Sequence, residues 1–265
     1  MPSIDSRALV AFATLGWRRA VAERTSMLGL VLVYALILSI FWGLWRATPL
    51  AELASVDMTP ATMLWYMAIT ECVAVAVGFP YRGVEAEIQS GSIATSMIRP
   101  VPYGLATLAE WCGQTAYRVL LLSAVGAVLV IWMTGTIPFS LSVLPVLFLS
   151  MALGCLCALL CQLQLGYATV WIGSAAPPFW IWQKLLFVFG GLIVPLSLYP
   201  DVLRRVASVL PFAGILFAPG SLAFRQSNVD IVLTLSQQLV WVVALSCAAW
   251  FVDRSVSTRI ATRGV

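Results

Sequence analysis

Few side chains in this sequence could do acid–base, nucleophilic or metal chemistry. The 265 residues include no histidine, which excludes Ser-His-Asp catalysis, histidine metal sites and HExxH proteases. The single lysine, Lys184, lies in an apolar stretch, outside any glycine-rich phosphate-binding loop. Six cysteines without a metal-type CxxC pair are expected to be small buried residues. We therefore expect no catalytic, cofactor or metal site on this chain.

Glu71 is the one carboxylate well inside an apolar stretch. An ionisable group in that setting is a functional candidate by default. It could line a conduit and meet polar groups of a substrate. Alternatively, it could be protonated and hydrogen-bonded between helices, in a structural role.

The composition predicts an all-α polytopic membrane protein. Hydrophobic residues make up 61% of the chain, charged residues 10%, and the mean hydropathy is +0.97. The net charge of +4 arises from fourteen arginines and one lysine against eleven acids. These charges are too few and too dispersed for nucleic-acid binding, so we expect no nucleic-acid partner.

Six stretches are long and apolar enough to cross about 30 Å of hydrocarbon as helices of roughly 20 residues. They cover residues 27–45, 60–79, 116–133, 142–172, 179–198 and 230–251. Residues 199–228 contain only short apolar runs between prolines and charges. Such runs are typical of re-entrant or interfacial helices, which we expect on the external side. A seventh, broken span is the alternative. All elements would form one membrane domain, residues 1–265.

The arginines predict the orientation. With six spans, ten arginines lie on the side of the termini and four on the other, which places both termini in the cytoplasm. Residues 1–26 are predicted to contain an amphipathic helix along the cytoplasmic interface. A disordered basic segment is the alternative there. Residues 252–265 would form a cytoplasmic tail.

Residues 81–103, YRGVEAEIQSGSIATSMIRPVPY, bring charges together in a chain that otherwise avoids them. Ser90-Gly91 should end a first helix, because glycine commonly follows a helix end. Ser92 could cap a second short helix, which Arg99-Pro100 would end. Its apolar face would consist of Ile93, Met97 and Ile98. Such a helix suits docking into a groove of another protein, whereas a plain turn with an interfacial helix is the alternative.

The segment EIQSGSIATSMIRPVPY resembles the cytoplasmic loop of type-2 ATP-binding-cassette (ABC) exporter permeases that have six spans and no ATPase on the chain. The matching positions are Glu87, Gly91, Ile93, Ile98, Arg99 and Pro100. Residues 195–212, PLSLYPDVLRRVASVLPF, are similar to an external segment of the same family. The turn GSAAPP, residues 173–178, departs from the family because it lacks the usual acid, which puts a second docking contact in doubt.

The resemblance implies a permease subunit that forms half of an export conduit in the bacterial inner membrane. Its implied partners are an ATP-binding-cassette ATPase in two copies, a second permease, identical or homologous, and membrane lipid. ATP and Mg would be bound by the ATPase. The short loop helix would be the coupling helix, with its apolar face on the ATPase. The implied coupling residues are Glu87, Gly91, Ser92, Ile93, Met97, Ile98, Arg99 and Pro100. A channel or secondary transporter is the alternative, followed by a polytopic membrane enzyme.

Overall fold

The structure, a computed structural model, describes residues 6–47, 59–97, 101–224 and 227–263. Within these residues the secondary structure is helical and contains no strand, which confirms the all-α class. The helices are α1 (Ser6–Ala22), α2 (Arg24–Ala47), α3 (Pro60–Val77), α4 (Tyr81–Gln89), α5 (Ile93–Met97), α6 (Tyr103–Thr134), α7 (Leu144–Ile172), α8 (Ala176–Phe189), α9 (Asp201–Val209), α10 (Pro211–Ile215), α11 (Phe217–Leu222) and α12 (Asn228–Arg263).

Five helical segments of the described chain are long and apolar enough to cross a membrane. They are Arg24–Ala47, Pro60–Gln89, Tyr103–Thr134, Leu141–Ile172 and Asn228–Ile260. The predicted fifth span, residues 179–198, is not one continuous helix. α8 ends at Phe189 because Gly190-Gly191 follows, with Gly191 at φ +65°, and a 3₁₀ turn forms at Leu196–Leu198 after Pro195. The count of six spans stays a prediction.

Two helices are longer than their predicted spans. α6 starts at Tyr103 rather than near residue 116, and its 32 residues extend about 48 Å at 1.5 Å per residue. α12 continues to Arg263, through the segment predicted as a separate tail. Its extension packs through the buried Val256 and Ile260, and Asp253 accepts a hydrogen bond from the hydroxyl of Tyr167 on α7. Packing beyond the apolar spans therefore sustains both helices.

α1 forms within the predicted N-terminal segment, and it packs against the first half of α6. Backbones meet closely at two glycines: a Cβ on Gly16 would lie 1.9 Å from the carbonyl oxygen of Glu110, and one on Gly113 would lie 1.9 Å from that of Ala13. Arg19 forms an ion pair with Glu110. α1 therefore needs glycine on both sides of its contact with α6.

α3 is the central helix of the bundle and contacts α2, α6, α7 and α11. Its N-terminus is fixed by a capping box between Thr59 and Thr62, with Pro60 in the first turn. Most of its side chains from Met63 to Val77 are buried in one core cluster. α3 thus joins α2, α6, α7 and α11.

Candidate functional site

The loop singled out in the sequence folds as α4 and α5 with a tight turn between them. α4 ends where the N–H groups of Ser90 and Gly91 donate to the carbonyls of Ala86 and Ile88, at 3.0 and 3.1 Å. Gly91 has φ +73°, a left-handed conformation that disfavours residues with a Cβ. The helix end predicted at this glycine is confirmed, and the turn depends on it.

The apolar face of α5 packs against the chain's own core. Ile93 is 0% exposed, and Met97 packs partly buried against the same cluster. The exposed side of the turn and helix instead carries Ser92, Ala94 and Thr95. Ile93 therefore anchors α5 to the bundle, and its side chain is inaccessible to a docking protein in this arrangement. The sequence predicted instead that the apolar face, with Ile93 and Met97, would contact the ATPase.

The remaining loop residues have different surroundings. The carbonyl of Ser92 accepts the first N–H bond of α5, from Thr95 at 3.1 Å. Its hydroxyl bonds the hydroxyl of Ser90 at 2.9 Å and the carbonyl of Glu87 at 3.4 Å, so Ser92 closes the turn more than it caps the helix. The side chain of Glu87 points elsewhere and has one buried, unpartnered oxygen. Ile98, Arg99 and Pro100 lie outside the described residues.

A second turn, between α7 and α8, is attached to α4 through two side chains. Oε1 of Glu85 accepts hydrogen bonds from the hydroxyl of Ser174 at 2.7 Å and from the N–H of Ala175 at 2.9 Å. Nε2 of Gln89, one helical turn later, donates to the carbonyl of Gly173 at 3.0 Å. Since Ala175 immediately precedes α8, the carboxylate also faces the positive end of that helix. The sequence of this turn contains no acid, and the carboxylate that contacts it is that of Glu85 on α4.

Sequence reasoning missed Glu85 as a site residue. The sequence alone predicts that Glu85 and Gln89, four residues apart, lie on one face of a helix. The partner of that face could not be predicted, because the turn that it binds is more than eighty residues away in the chain.

α8 is held at its other end by α3. The hydroxyl of Tyr66 donates to the carbonyl of Gly191, in the break that follows α8. At the α4 end, the rings of Tyr81 and Phe179 stack with centroids 4.3 Å apart. α3 and α4, which follow one another across a break at Gly78, therefore contact both ends of α8, near its first turn and just after its last.

Glu71 lies in the middle of α3 and is 7% exposed. Among the described residues no side chain or N–H donates a hydrogen bond to its carboxyl group, although Tyr34 is close enough to interact electrostatically. Tyr34 itself donates to the carbonyl of Ala68 at 2.7 Å. Glu71 is therefore buried between helices, but without the hydrogen bond that its structural interpretation also predicts, so its structural and conduit roles both stay predictions.

A buried glutamine on α12, which the sequence analysis did not single out, links three helices. Nε2 of Gln238 donates to the carbonyls of Gly214 (2.7 Å) and Ser150 (3.0 Å), and its Oε1 accepts from the hydroxyl of Ser150 at 2.9 Å. Gln238 is 0% exposed. All the polar atoms of this amide are used, so it fixes the short helix α10 against α7 and α12.

The family model described as ABC-2 family transporter protein matches residues 61–259, about three quarters of the chain. The chain belongs to the ABC-2 transporter family. The match covers α3 through most of α12 and includes the α4–α5 loop and the turn at 173–175. No curated protein matches this ABC-2 chain.

Membership establishes the general role of the chain. An ABC-2 protein is a membrane subunit of an ABC transporter and works with an ATP-binding-cassette component. The multiple apolar helices agree with a multi-pass membrane protein. The resemblance inferred from the loop sequence is confirmed.

Proposed function

We propose that this ABC-2 chain is an export permease whose ATPase is a separate subunit, in a complex of two permeases and two ATPases. The sequence has no glycine-rich loop with a phosphate-binding lysine, so ATP and Mg would be bound by the partner. The ten-to-four arginine asymmetry supports cytoplasmic termini in a bacterial inner membrane. With this orientation, the α4–α5 loop and the turn at 173–175 face the ATPase.

The observation that carries the proposal is the attachment of these two turns to each other. Glu85 and Gln89 bind the turn at 173–175 while the exposed residues Ser92, Ala94 and Thr95 follow three to six residues after Gln89. The ATPase would therefore dock on the α4–α5 loop, next to its attachment to the turn at 173–175. We define the docking surface as the exposed face of Ser92, Ala94 and Thr95.

The same contacts provide a route for movement. A push on the docking surface would move α4, and α4 would carry the start of α8 with it through Glu85 and the stacked Tyr81 and Phe179. At the far end, Tyr66 of α3 holds the backbone break after α8. ATPase closure would thus shift α3, α4 and α8 together and alter the packing around the break, where a gate would open outward. Such coupling needs contiguous packed elements, which these are.

The test is recovery of the ATPase with variants of the docking surface. Thr95→Glu and Ala94→Glu place an unpaired charge in the proposed contact, and burying an unpaired charge is costly. We expect roughly tenfold or more weaker ATPase recovery, because about 1.4 kcal/mol corresponds to one decade. Ser257→Glu, at an exposed position on α12, is the matched control and should bind normally.

Each result of this pull-down either supports or contradicts docking of the ATPase on this surface. The permease is co-expressed with its neighbouring genes, and ATPase recovery is normalised to permease in the membrane. Wild-type recovery and transport with both glutamate variants would remove docking from this surface. Native mass spectrometry of the wild-type complex reports its stoichiometry, and a stable permease monomer without ATPase would contradict the proposed assembly and favour a channel or secondary transporter.

A further inference from the structure

A cleft of about 530 Å³ lies between the start of α6, the second half of α7 and the second half of α12. We name it the α6–α12 cleft. Its walls are mostly apolar and include Leu105 and Leu108 of α6, Leu160 and Leu163 of α7, and Trp250 of α12. Its volume lies within the range of ligand sites in proteins, about 300–1,000 Å³.

The two charged side chains of the cleft lie together at one end. Asp253 and Arg254 are neighbours on α12, and Ser246, which also lines the cleft, precedes Arg254 by about 12 Å along the helix axis. Asp253 is level with Gly104 of α6, because a Cβ on Gly104 would lie 3.3 Å from its Oδ1. Leu108 lies one helical turn beyond Gly104, away from the charges. The cleft therefore has a charged end and an apolar body, as a lipid does.

Asp253 and Arg254 differ in what they bind. Asp253 accepts a hydrogen bond from the hydroxyl of Tyr167. The guanidinium of Arg254 lies over the ring of Trp250, 3.7 Å from its centroid. Among the described residues no carboxylate lies within ion-pair distance of Arg254. The indole thus holds the guanidinium at the charged end of the cleft, where its N–H groups can donate to an anion.

A second cation of the chain shows what is particular to this site. Lys184 lies over Trp180 at 5.9 Å from its centroid, with the same four-residue spacing along α8. Tryptophan and basic side chains are typical of the membrane interface, so both pairs suit that level. Lys184 is not among the residues that line the α6–α12 cleft. Arg254 therefore combines an interfacial cation with an apolar cleft, and Lys184 is its matched control.

We propose that the α6–α12 cleft binds an anionic glycerophospholipid, with one acyl chain along the apolar walls and the phosphate on Arg254. The phosphate–guanidinium bond is charge-assisted. The surroundings supply the acyl chain, because α6, α7 and α12 are among the helices long and apolar enough to cross a membrane. Asp253 disfavours a second negative charge at the same end, so a phosphodiester such as phosphatidylglycerol fits better than a phosphomonoester. Gly104 follows the α4–α5 loop closely, so in the proposed orientation the lipid belongs to the inner leaflet.

The experiment measures lipid retention by the full-length permease, purified with its co-expressed partners, using native mass spectrometry. Detergent micelles are doped with equal amounts of phosphatidylglycerol and phosphatidylcholine that have the same acyl chains. Wild-type protein should retain more phosphatidylglycerol, because choline neutralises the phosphate charge. Arg254→Gln should lower the ratio of retained phosphatidylglycerol to phosphatidylcholine about fivefold, which equals about 1 kcal/mol and is appropriate to an exposed charge pair. Arg254→Lys should keep most of the preference, and Lys184→Gln should leave it unchanged.

A second variant tests the apolar walls separately. Ser246 is exposed and lines the end of the cleft farthest from the charges, so Ser246→Trp should fill it and reduce retention of both lipids at an unchanged melting temperature. Ala244→Trp, at an exposed position outside the lining, is the control and should retain both.

Four results would overturn the site. Equal retention of the two lipids by wild-type protein, or an unchanged ratio in Arg254→Gln, would remove the phosphate from Arg254. An equal loss of preference in Lys184→Gln would reduce the effect to general attraction at the interface. Unchanged retention in Ser246→Trp would remove the acyl chain from the cleft, and dissociation of paired permeases in that variant would assign the cleft to a second copy of the chain.

Discussion

Glu85 is the residue whose replacement tests the proposed route most directly. Its carboxylate accepts hydrogen bonds from Ser174 and Ala175, at 2.7 and 2.9 Å, and no other described side chain or carbonyl accepts the Ala175 N–H. Glu85→Ala removes both bonds, and Glu85→Gln keeps an acceptor of the same shape but removes the charge. The two variants therefore separate the hydrogen bonds from their charge assistance.

The expected magnitude follows from the exposure of the pair. Hydrogen bonds to charged groups contribute about 1.5–3 kcal/mol each when well buried, but this site is only part-buried. For the two bonds together, we expect the free energy that attaches the two turns to fall by about 2 kcal/mol in Glu85→Ala. In Glu85→Gln it should fall by roughly half of that. On the scale of about 1.4 kcal/mol per decade, the attachment of the two turns weakens roughly thirtyfold in the alanine variant.

The assay compares transport per ATP hydrolysed in proteoliposomes containing the whole complex. Because Glu85 lies inside the route and not on the docking surface, ATPase recovery should remain normal while transport per ATP falls. Ala86→Ser, at an exposed position of the same helix, is the control and should change neither quantity. A double-mutant cycle of Glu85→Gln with Ser174→Ala, measured on the free energy of unfolding, should show a coupling energy of about 1 kcal/mol between the two side chains.

Three outcomes would refute this reasoning. Unchanged transport per ATP in Glu85→Ala would show that the attachment of the two turns does not transmit movement. A coupling energy of zero between Glu85 and Ser174 would show that the hydrogen bond contributes nothing. Loss of ATPase recovery in Glu85→Ala would instead place Glu85 in docking and remove it from the route.

Three further predictions concern packing and the buried polar groups. Gly113→Ala places a Cβ 1.9 Å from a backbone oxygen of α1 and should destabilise the chain by about 1–3 kcal/mol, whereas Gly29→Ala meets open space and should not; thermal unfolding in detergent compares them. Gln238→Leu leaves its hydrogen-bond partners on α7 and α10 unpaired, which should cost about 1–3 kcal/mol in the same measurement, and a melting temperature equal to wild type would contradict this. Glu71→Gln should fold and transport normally if Glu71 has a structural role; normal folding with lost transport would place it on the conduit.

The number and type of the apolar elements could be predicted from the sequence more reliably than their ends. Four of the predicted spans coincide with long apolar helices, because each is apolar over about twenty residues. Hydropathy misplaces the start of α6, since Glu110, Gln114 and Arg118 are polar. Those side chains lie in the contact with α1 and along a polar cleft beside it. The contact with α1 accommodates polar side chains that hydropathy alone does not assign to a span.

The candidate site shows the same division. The turn at Gly91 was readable, because a glycine after helix formers indicates a left-handed helix end. The side of α5 that packs on the chain's own core could not be predicted. An amphipathic helix presents its apolar face equally well to its own core or to a partner. Ile93 illustrates this, being completely buried within the chain. Glu85 and Gln238 act through partners distant in sequence, which no local pattern reveals.

The predicted fifth crossing, residues 179–198, would consist of the short α8 and the irregular backbone that follows it. The 14 residues of α8 extend about 21 Å, less than the roughly 30 Å of hydrocarbon, so irregular backbone must complete the distance. Such backbone is tolerated at membrane depth only where protein satisfies its polar groups. Here the hydroxyl of Tyr66 donates to the carbonyl of Gly191. The N–H of Leu192 donates to the carbonyl of Phe187 at 3.2 Å, and the N–H of Leu198 donates to the carbonyl of Pro195 at 3.0 Å. A backbone break held by hydrogen bonds from α3 can shift without unfolding a regular helix, which is what a gate at the end of the proposed route requires.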